Sequence, residues 1–268
     1  MLARERQSYI LERVRTAGAV RVSDLTEALS VSDMTVRRDL DLLARQGLVE
    51  KVHGGATAPA LNSTDEPGFE TKSELARKEK DAIAELAVQL VRPGCAVGLS
   101  AGTTTWTLAH RLLDVPGITV VTNSVEIASV FYRSPRPDQT IVLTGGVRTP
   151  SDALVGPVAV ATLRSLNLDI VFLGVHGMDE HIGFTSPNLL EAETSRALAR
   201  AARRLAVVAD HTKWGVVGIS TIAALHEADV LLTDSGLAGP ALEVLTQQVG
   251  DVQLAPVDKA LPLQVSGD

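Results

Sequence analysis

The sequence predicts an α/β protein in two parts: a small helical N-terminal module closed by a strand, then a larger domain on a mainly parallel sheet. Three observations carry this reading. Helical periodicity dominates the first 58 residues, whereas from Cys95 onward short apolar runs alternate with amphipathic segments. Between them TAPALNSTDEPGFETK, residues 57–72, holds two prolines, small polar residues and little periodicity, the composition of an interdomain connection. The charge divides at the same place. Of 25 Lys/Arg and 32 Asp/Glu, nine and eight lie in residues 1–58, leaving 16 and 24 behind them, so a near-neutral module of +1 precedes a body of −8. The predicted boundaries are 1–58, a linker at 59–72, a domain at 73–256 and a tail at 257–268.

With 45% hydrophobic and 21% charged residues, the 268-residue chain has material for a core, and 3% aromatics means that the core is aliphatic. The single cysteine, Cys95, excludes an intrachain disulfide and suits a reducing compartment; its apolar surroundings predict a buried strand residue. The N-terminus is charged from residue 4, and no apolar run reaches the roughly 18 residues of a membrane span, so a cytoplasmic protein without a membrane partner is expected. The six histidines show no HExxH spacing, and no Gly-x-Ser-x-Gly elbow occurs. No metal, cofactor or catalytic centre is expected.

In the first module, Arg4 to Thr16 reads as a helix with Ile10 and Val14 spaced by four and Arg6, Arg13 and Arg15 outward. Val20 to Val22 reads as a short strand, with Ser23 capping a second helix through Leu29. After the turn SVS, Ser32 is placed to cap a third helix, and Val31 can staple to Val36. At 100° per residue Val36, Leu40 and Leu43 share one face, with Met34, Arg38, Asp41 and Arg45 opposite and Arg37 at the flank. Beyond Gly47 the alternation LVEKVHGGA predicts a strand that pairs with Val20 to Val22, with Gly54 and Gly55 in a tight turn. This succession is a winged helix-turn-helix, which can set a helix in the major groove of double-stranded DNA. Thr35 with Arg37 or Arg38 would reach base edges, and Arg45, Lys51 and the helix-one arginines would meet phosphates.

In the body, Ser73 to Val91 reads as a helix with Ile83, Leu86 and Leu90 on one stripe, ended by Pro93-Gly94. The runs CAVGLS, ITVVTN, TIVLTGG, DIVFLGV, RLAVVAD and DVLLTD, apolar throughout and separated by helical segments, predict a parallel sheet covered on both faces. Ligands in such sheets bind at the carboxyl ends of the strands. Those ends carry Ser100, then Gly102, Thr103, Thr104 and Thr105 at a strand-to-helix turn able to hold a phosphate, Asn123 and Ser124, Gly145 and Gly146, His176, Glu191 at a helix start, and Lys213. The turn is no Walker motif, since no Gly-Lys-Ser/Thr follows.

The stretch VSDMTVRRDLDLLARQGLVEKVHGGA resembles the signature of the DeoR family of bacterial repressors, with its Val-Ser turn, Thr-Val-Arg-Arg-Asp-Leu recognition helix and His-Gly-Gly-Ala wing. The resemblance implies operator DNA binding through Ser32, Met34, Thr35, Arg37 and Arg38, with His53 on the wing. By the helical wheel Asp39 turns inward, where an arginine of helix one can pair with it. Residues 73–256 are similar to the family's sensor domain, which is related in fold to ribose-5-phosphate isomerase and the CoA-transferases. That implies a phosphorylated sugar effector, with Gly102, Thr103 and Thr104 at the phosphate and Asn123, Gly146, Glu191 and Lys213 nearby, and a homodimer or homotetramer. Family members often carry Asp where this chain has Ser100. Two other readings are a sugar-phosphate isomerase with an accessory helix-turn-helix, and a winged helix used only for protein contacts. Against the isomerase, its Asp-Gly-Ala-Asp turn corresponds to Gly174-Val175-His176-Gly177, which lacks both aspartates although Glu191 matches the base and Asp179 is near in sequence.

Overall fold

A computed structural model describes residues 3–57, 63–64 and 68–257. Half of the predicted linker and all but the first residue of the predicted tail lie outside the described residues. The chain divides into two compact units, Met1–Asn62 and Ser63–Asp268.

The first unit runs α1 (Ala3–Ala17), β1 (Ala19–Arg21), α2 (Val22–Leu29), α3 (Asp33–Arg45), β2 (Glu50–Val52) and β3 (Gly55–Thr57). Its core joins Ile10 and Val14 of α1, Leu25 and Leu29 of α2 and Val36, Leu40 and Leu43 of α3, the residues that share a face at helical spacing. Ser32 caps α3 by accepting from the Thr35 amide at 3.3 Å, and Val31 packs on the cluster that holds Val36. Two expectations are corrected. The residue before α2 is Arg21, in extended conformation and without a side-chain cap, while the Ser23 hydroxyl donates to Asp24; the strand is correspondingly Ala19–Arg21. The wing is also two strands, not one. The chain reverses at His53-Gly54, and β3, the strand after the turn, pairs with β1 (Val20 opposite Ala56) while β2 lies outside (Lys51 opposite Ala56).

The second unit opens with α4 (Phe69–Glu74) and α5 (Arg77–Val88). The single helix expected from Ser73 to Val91 is thus broken, because Ala76 takes a left-handed φ of 48° and becomes the N-cap of α5. There follow β4 (Ala96–Leu99), α6 (Thr103–Leu112), β5 (Thr119–Thr122), α7 (Val125–Arg133), β6 (Thr140–Leu143), the hairpin β7 (Val147–Arg148) and β8 (Leu154–Val155), α8 (Pro157–Arg164) and β9 (Ile170–Gly174). After these come β10 (Gly177–Asp179), β11 (Gly183–Ser186), α9 (Leu189–Arg200), β12 (Leu205–Val208), β13 (Ser220–Ala223), β14 (Val230–Asp234), α10 (Gly239–Gln248) and β15 (Val252–Ala255). Seven strands form one parallel sheet, ordered β15-β14-β12-β9-β4-β5-β6. The six apolar runs of the sequence are six of these, and β15 is the seventh. One aliphatic cluster centred on Leu99, Leu108 and Phe172 covers one face, and another centred on Val171, Leu198 and Leu231 covers the other. Cys95 is only half-buried, one residue ahead of β4, so the expectation of a buried strand thiol is corrected. Among the described residues, no helix is long and apolar enough to cross a membrane.

The order of the sheet decides where a ligand could sit. From β4 the chain moves outward through β5 and β6, then returns to β9 on the other flank and continues through β12, β14 and β15. The direction reverses between β4 and β9, and in open parallel sheets such a reversal, at the carboxyl ends of the strands, is where ligands bind.

Candidate functional site

Two surfaces carry the residues that the sequence singles out. On α3 the apolar stripe faces the core, so the opposite side is presented to solvent: Met34 is 76% exposed, and Arg37, Arg38 and Arg45 are exposed with it. The two adjacent arginines differ. Arg37 donates to Asp33 one turn earlier at 2.9 Å, whereas Arg38 has no partner among the described residues. Thr35 is half-buried, its hydroxyl 2.9 Å from that of Ser32, so both belong to the cap of the helix. Arg45 donates to the Asp41 carbonyl, and Lys51 on β2 is ion-paired with the Asp41 side chain, whose pKa that hydrogen bond lowers. His53 is exposed at the tip of the wing.

Beneath this surface Asp39 is 5% exposed and takes the Arg6 Nε at 2.8 Å and the Gln7 amide at 3.2 Å. The inward turn of Asp39 is as the helical wheel implies. Arg6 is therefore a half-buried ion-pair partner that fixes α1 against α3. The Arg15 side chain lies outside the described residues.

The second surface is the carboxyl edge of the parallel sheet. The turn after β4 leads into the ten-residue helix α6, whose first amides have no intrahelical acceptor and carry the positive end of the helix dipole. The hydroxyls of Thr103 and Thr104 there have no partner among the described residues, and both side chains are largely buried. Thr105 differs: fully buried, it donates to the Ser100 and Gly102 carbonyls at 2.7 and 2.9 Å, so its hydroxyl holds the turn closed and is not available to a ligand.

Several expected effector residues turn out to build the edge. The Ser100 hydroxyl accepts from the Gly174 amide at 2.9 Å and joins the ends of β4 and β9 at the point of reversal. Asn123 accepts from the Ala101 amide at 2.8 Å and donates to the Leu154 carbonyl at 3.1 Å, so it clamps β4, β5 and β8. Ser124 is the N-cap of α7 and is 1% exposed. All of these are small polar residues at strand ends, where the sequence alone cannot separate a clamp from a contact. Gly145 and Gly146 end β6, with Gly146 backed against Val155. Glu191, in the first turn of α9, accepts from Thr149, which lies between β7 and β8. His176 follows β9, its amide bonded to the Thr185 carbonyl at 3.0 Å, and Lys213 lies in a short helical turn after β12 that Asp210 caps.

The structure adds residues that the sequence reading missed. Lys80 on α5 is 4% exposed, and its ammonium donates to the carbonyls of Lys72 and Leu75. Burial pulls its pKa down to about 8; Asp210 opposes the fall and the positive charges of Lys213 and Lys72 add to it. A signal existed, since Lys80 stands three residues before Ile83 on the buried stripe of α5, an unusual place for a lysine. At the end of β14, Asp234 accepts from the His211 amide at 2.8 Å and lies 2.7 Å from His211 Nδ1. Burial alone would raise that carboxyl, but the hydrogen bonds from His211 and Gly236 outweigh it and hold Asp234 below the usual carboxylate range.

The assembled edge therefore offers helix-end amides and two unpaired hydroxyls at one strand, with a carboxylate and lysines at others. This is the set that a phosphate with neighbouring sugar hydroxyls would need. Two cavities, of about 550 and 420 Å³, lie away from it, one at the amino ends of β4 and β9 beside Cys95 and Arg204, the other between α8 and α9. Neither coincides with the polar strand ends.

Comparison with known proteins follows the same division. Residues 6–61 match the DeoR-like helix-turn-helix domain and residues 75–235 the DeoR C terminal sensor domain. The uncharacterized HTH-type transcriptional regulator YgbI of Escherichia coli K12 is 38% identical over 92% of this chain and 96% of its own. The glycerol-3-phosphate regulon repressor of the same organism is 30% identical over 90% of this chain and 95% of its own. Among solved structures, ribose 5-phosphate isomerase A from Methanocaldococcus jannaschii overlaps 50% of this chain and 53% of its own at 17% identity, with a TM-score of 0.37.

Proposed function

Because the chain belongs to the DeoR family of helix-turn-helix transcriptional regulators, we propose that it is a repressor of carbohydrate-metabolism genes, released from its operator by a phosphorylated sugar or polyol. The family assignment makes it a DNA-binding regulator and sets aside both the isomerase reading and the protein-contact reading of the winged helix. The observation that carries the DNA half is the face of α3, where Met34, Arg37 and Arg38 stand outward from a helix whose entry is fixed by Ser32 and whose back is bolted by Asp39 to α1. Arg38 is the base-reading residue of this proposal, since its guanidinium is uncommitted and a bidentate contact to guanine discriminates by about 1–3 kcal/mol. Ser32, Thr35, Arg45, Lys51 and His53 position the helix and wing on the backbone.

The effector half is supported by the free hydroxyls of Thr103 and Thr104 at the start of α6, beside the reversal of the sheet. Gly102, Gly145, Gly146, His176, Glu191 and Lys213 complete the ligand set of this proposal, while Ser100, Thr105, Asn123 and Ser124 hold its shape. Ser100 in place of an acidic residue removes a carboxylate from the phosphate end, which suits a more highly charged effector. Two copies of the chain, or four, would read paired half-sites in the cytoplasm.

A band shift with the duplex upstream of the protein's own gene tests both halves. Binding should fall steeply with salt, and Arg38→Ala should abolish the shift at concentrations where the wild type is saturated, with circular dichroism unchanged. Normal binding by Arg38→Ala would remove α3 from the interface. A panel including glycerol 3-phosphate and ribose 5-phosphate should contain a compound that releases the duplex; release by none of them would sink the effector proposal alone.

A further inference from the structure

Helix α4 is the first element after the join between the two units, and by its length it should not be stable alone. It is held at three points. The Phe69 ring meets Trp106 edge-on with centroids 5.9 Å apart; Lys72 Nζ donates to Ser151 Oγ at 2.8 Å; and the carbonyls of Lys72 and Leu75 receive the buried Lys80 ammonium. Each anchor is a different wall of the carboxyl edge. Trp106 is in the first turn of α6, directly after Thr103 to Thr105. Ser151 lies between Thr149, which donates to Glu191, and Ala153, which bridges Ser124. Lys80 shares the field of Asp210 and Lys213. Phe69 and Lys72 are three residues apart and so lie on one face of α4. That face spans from the α6 turn to the β7–β8 segment, with the Lys72 ammonium half-buried on the edge.

We propose that Lys72 is an effector-contacting residue, a cation delivered to the carboxyl edge by α4 to bind the anionic group of a phosphorylated sugar or polyol, so that effector capture steadies α4. The proposal rests on the effector reading of that edge. A lysine ammonium is a compact charge with three donors, so it can donate to a phosphate oxygen and keep its hydrogen bond to Ser151. The buried Lys80 contacts tie the backbone of α4 to the same edge.

The test uses the full chain as wild type, Lys72→Met, Lys72→Arg and, as a control on the exposed face of α5, Lys78→Met. Tryptophan fluorescence and melting temperature are followed while glycerol 3-phosphate, ribose 5-phosphate or inorganic phosphate is added, and amide exchange is read over residues 69–76. The phosphorylated probes that bind the wild type should bind Lys72→Met about 10- to 100-fold more weakly, the loss expected for a charged hydrogen bond. Lys72→Arg should recover most of the affinity, and Lys78→Met should match the wild type. Exchange over 69–76 should slow when the probe binds the wild type, a measurement that stands even where a variant does not fold. Wild-type affinity in Lys72→Met, or unaltered exchange over 69–76, would overturn this inference and leave the effector site itself in place. Silence of every probe on the wild type, in both signals, would overturn the two together.

Discussion

Asp39 shows how one side chain sets the geometry of a whole surface. It lies between the outward Arg38 and the buried Leu40, and as a carboxylate in a buried position it must be paired. Arg6 and Gln7 of α1 meet that need, so the pair locks the helix that presents Met34 and Arg38 to the helix beneath it. Removing the carboxylate takes from Arg6, itself 14% exposed, the acceptor of its Nε. Asp39→Ala should therefore destabilise the first unit by roughly 3 kcal/mol, the usual cost of breaking a buried pair from one side. Amide exchange in α1 and α3 would show it as acceleration of about two orders of magnitude, with exchange in the parallel sheet unchanged. Unaltered exchange in α3 would mean that the apolar stripe alone holds the helix.

At the scale of elements, the wing depends on two neighbouring glycines for different reasons. Gly54 turns the hairpin with a φ of +77° and has open space around it, so it answers a conformational need. Gly55 lies in β3, where a Cβ would fall 2.0 Å from the Val20 carbonyl oxygen, so it answers a spatial one. Gly54→Ala should cost about 1 kcal/mol. Gly55→Ala should cost more, at least ~2 kcal/mol, because the β1–β3 pairing must open to admit the methyl. A denaturation series on the two variants checks the order, and equal losses would count against the close approach. The broken α4–α5 helix has a similar logic, since left-handed Ala76 turns α4 towards the sheet edge while the carbonyls freed at the break go to Lys80.

For the molecule as a whole, regulation is a coupling between two binding equilibria. An effector weakens operator binding only by its preference for the arrangement that binds DNA poorly, and thermodynamics makes the effect mutual. If an effector lowers operator affinity by a given factor, saturating operator must lower effector affinity by the same factor, typically about 5- to 150-fold. Titrating the effector with and without operator duplex measures this, and unequal factors would show that the two ligands do not share one equilibrium. The charge distribution serves the same end. A body of −8 behind a module of +1 disfavours indiscriminate binding to polyanions, so specific contacts from α3 decide where the protein settles.

Much of this was legible in the linear sequence, because periodicity and caps are local. The apolar spacing of Val36, Leu40 and Leu43, the Ser32 cap, the inward Asp39 and six of the seven parallel strands follow from neighbours within a turn or a strand. The polar strand ends were visible as a group, but not their separate tasks. Only folding showed that Ser100, Thr105, Asn123 and Ser124 spend their side chains on the backbone while Thr103 and Thr104 keep theirs free, because a hydroxyl's partner can lie anywhere in the chain. The same holds for Arg6, drawn inward by a residue 33 positions away, and for Lys72, which meets Ser151 across 79. Local pattern determined the elements and their faces; the tertiary structure decided which charges and hydroxyls were already satisfied, since that depends on distance in space and not along the chain.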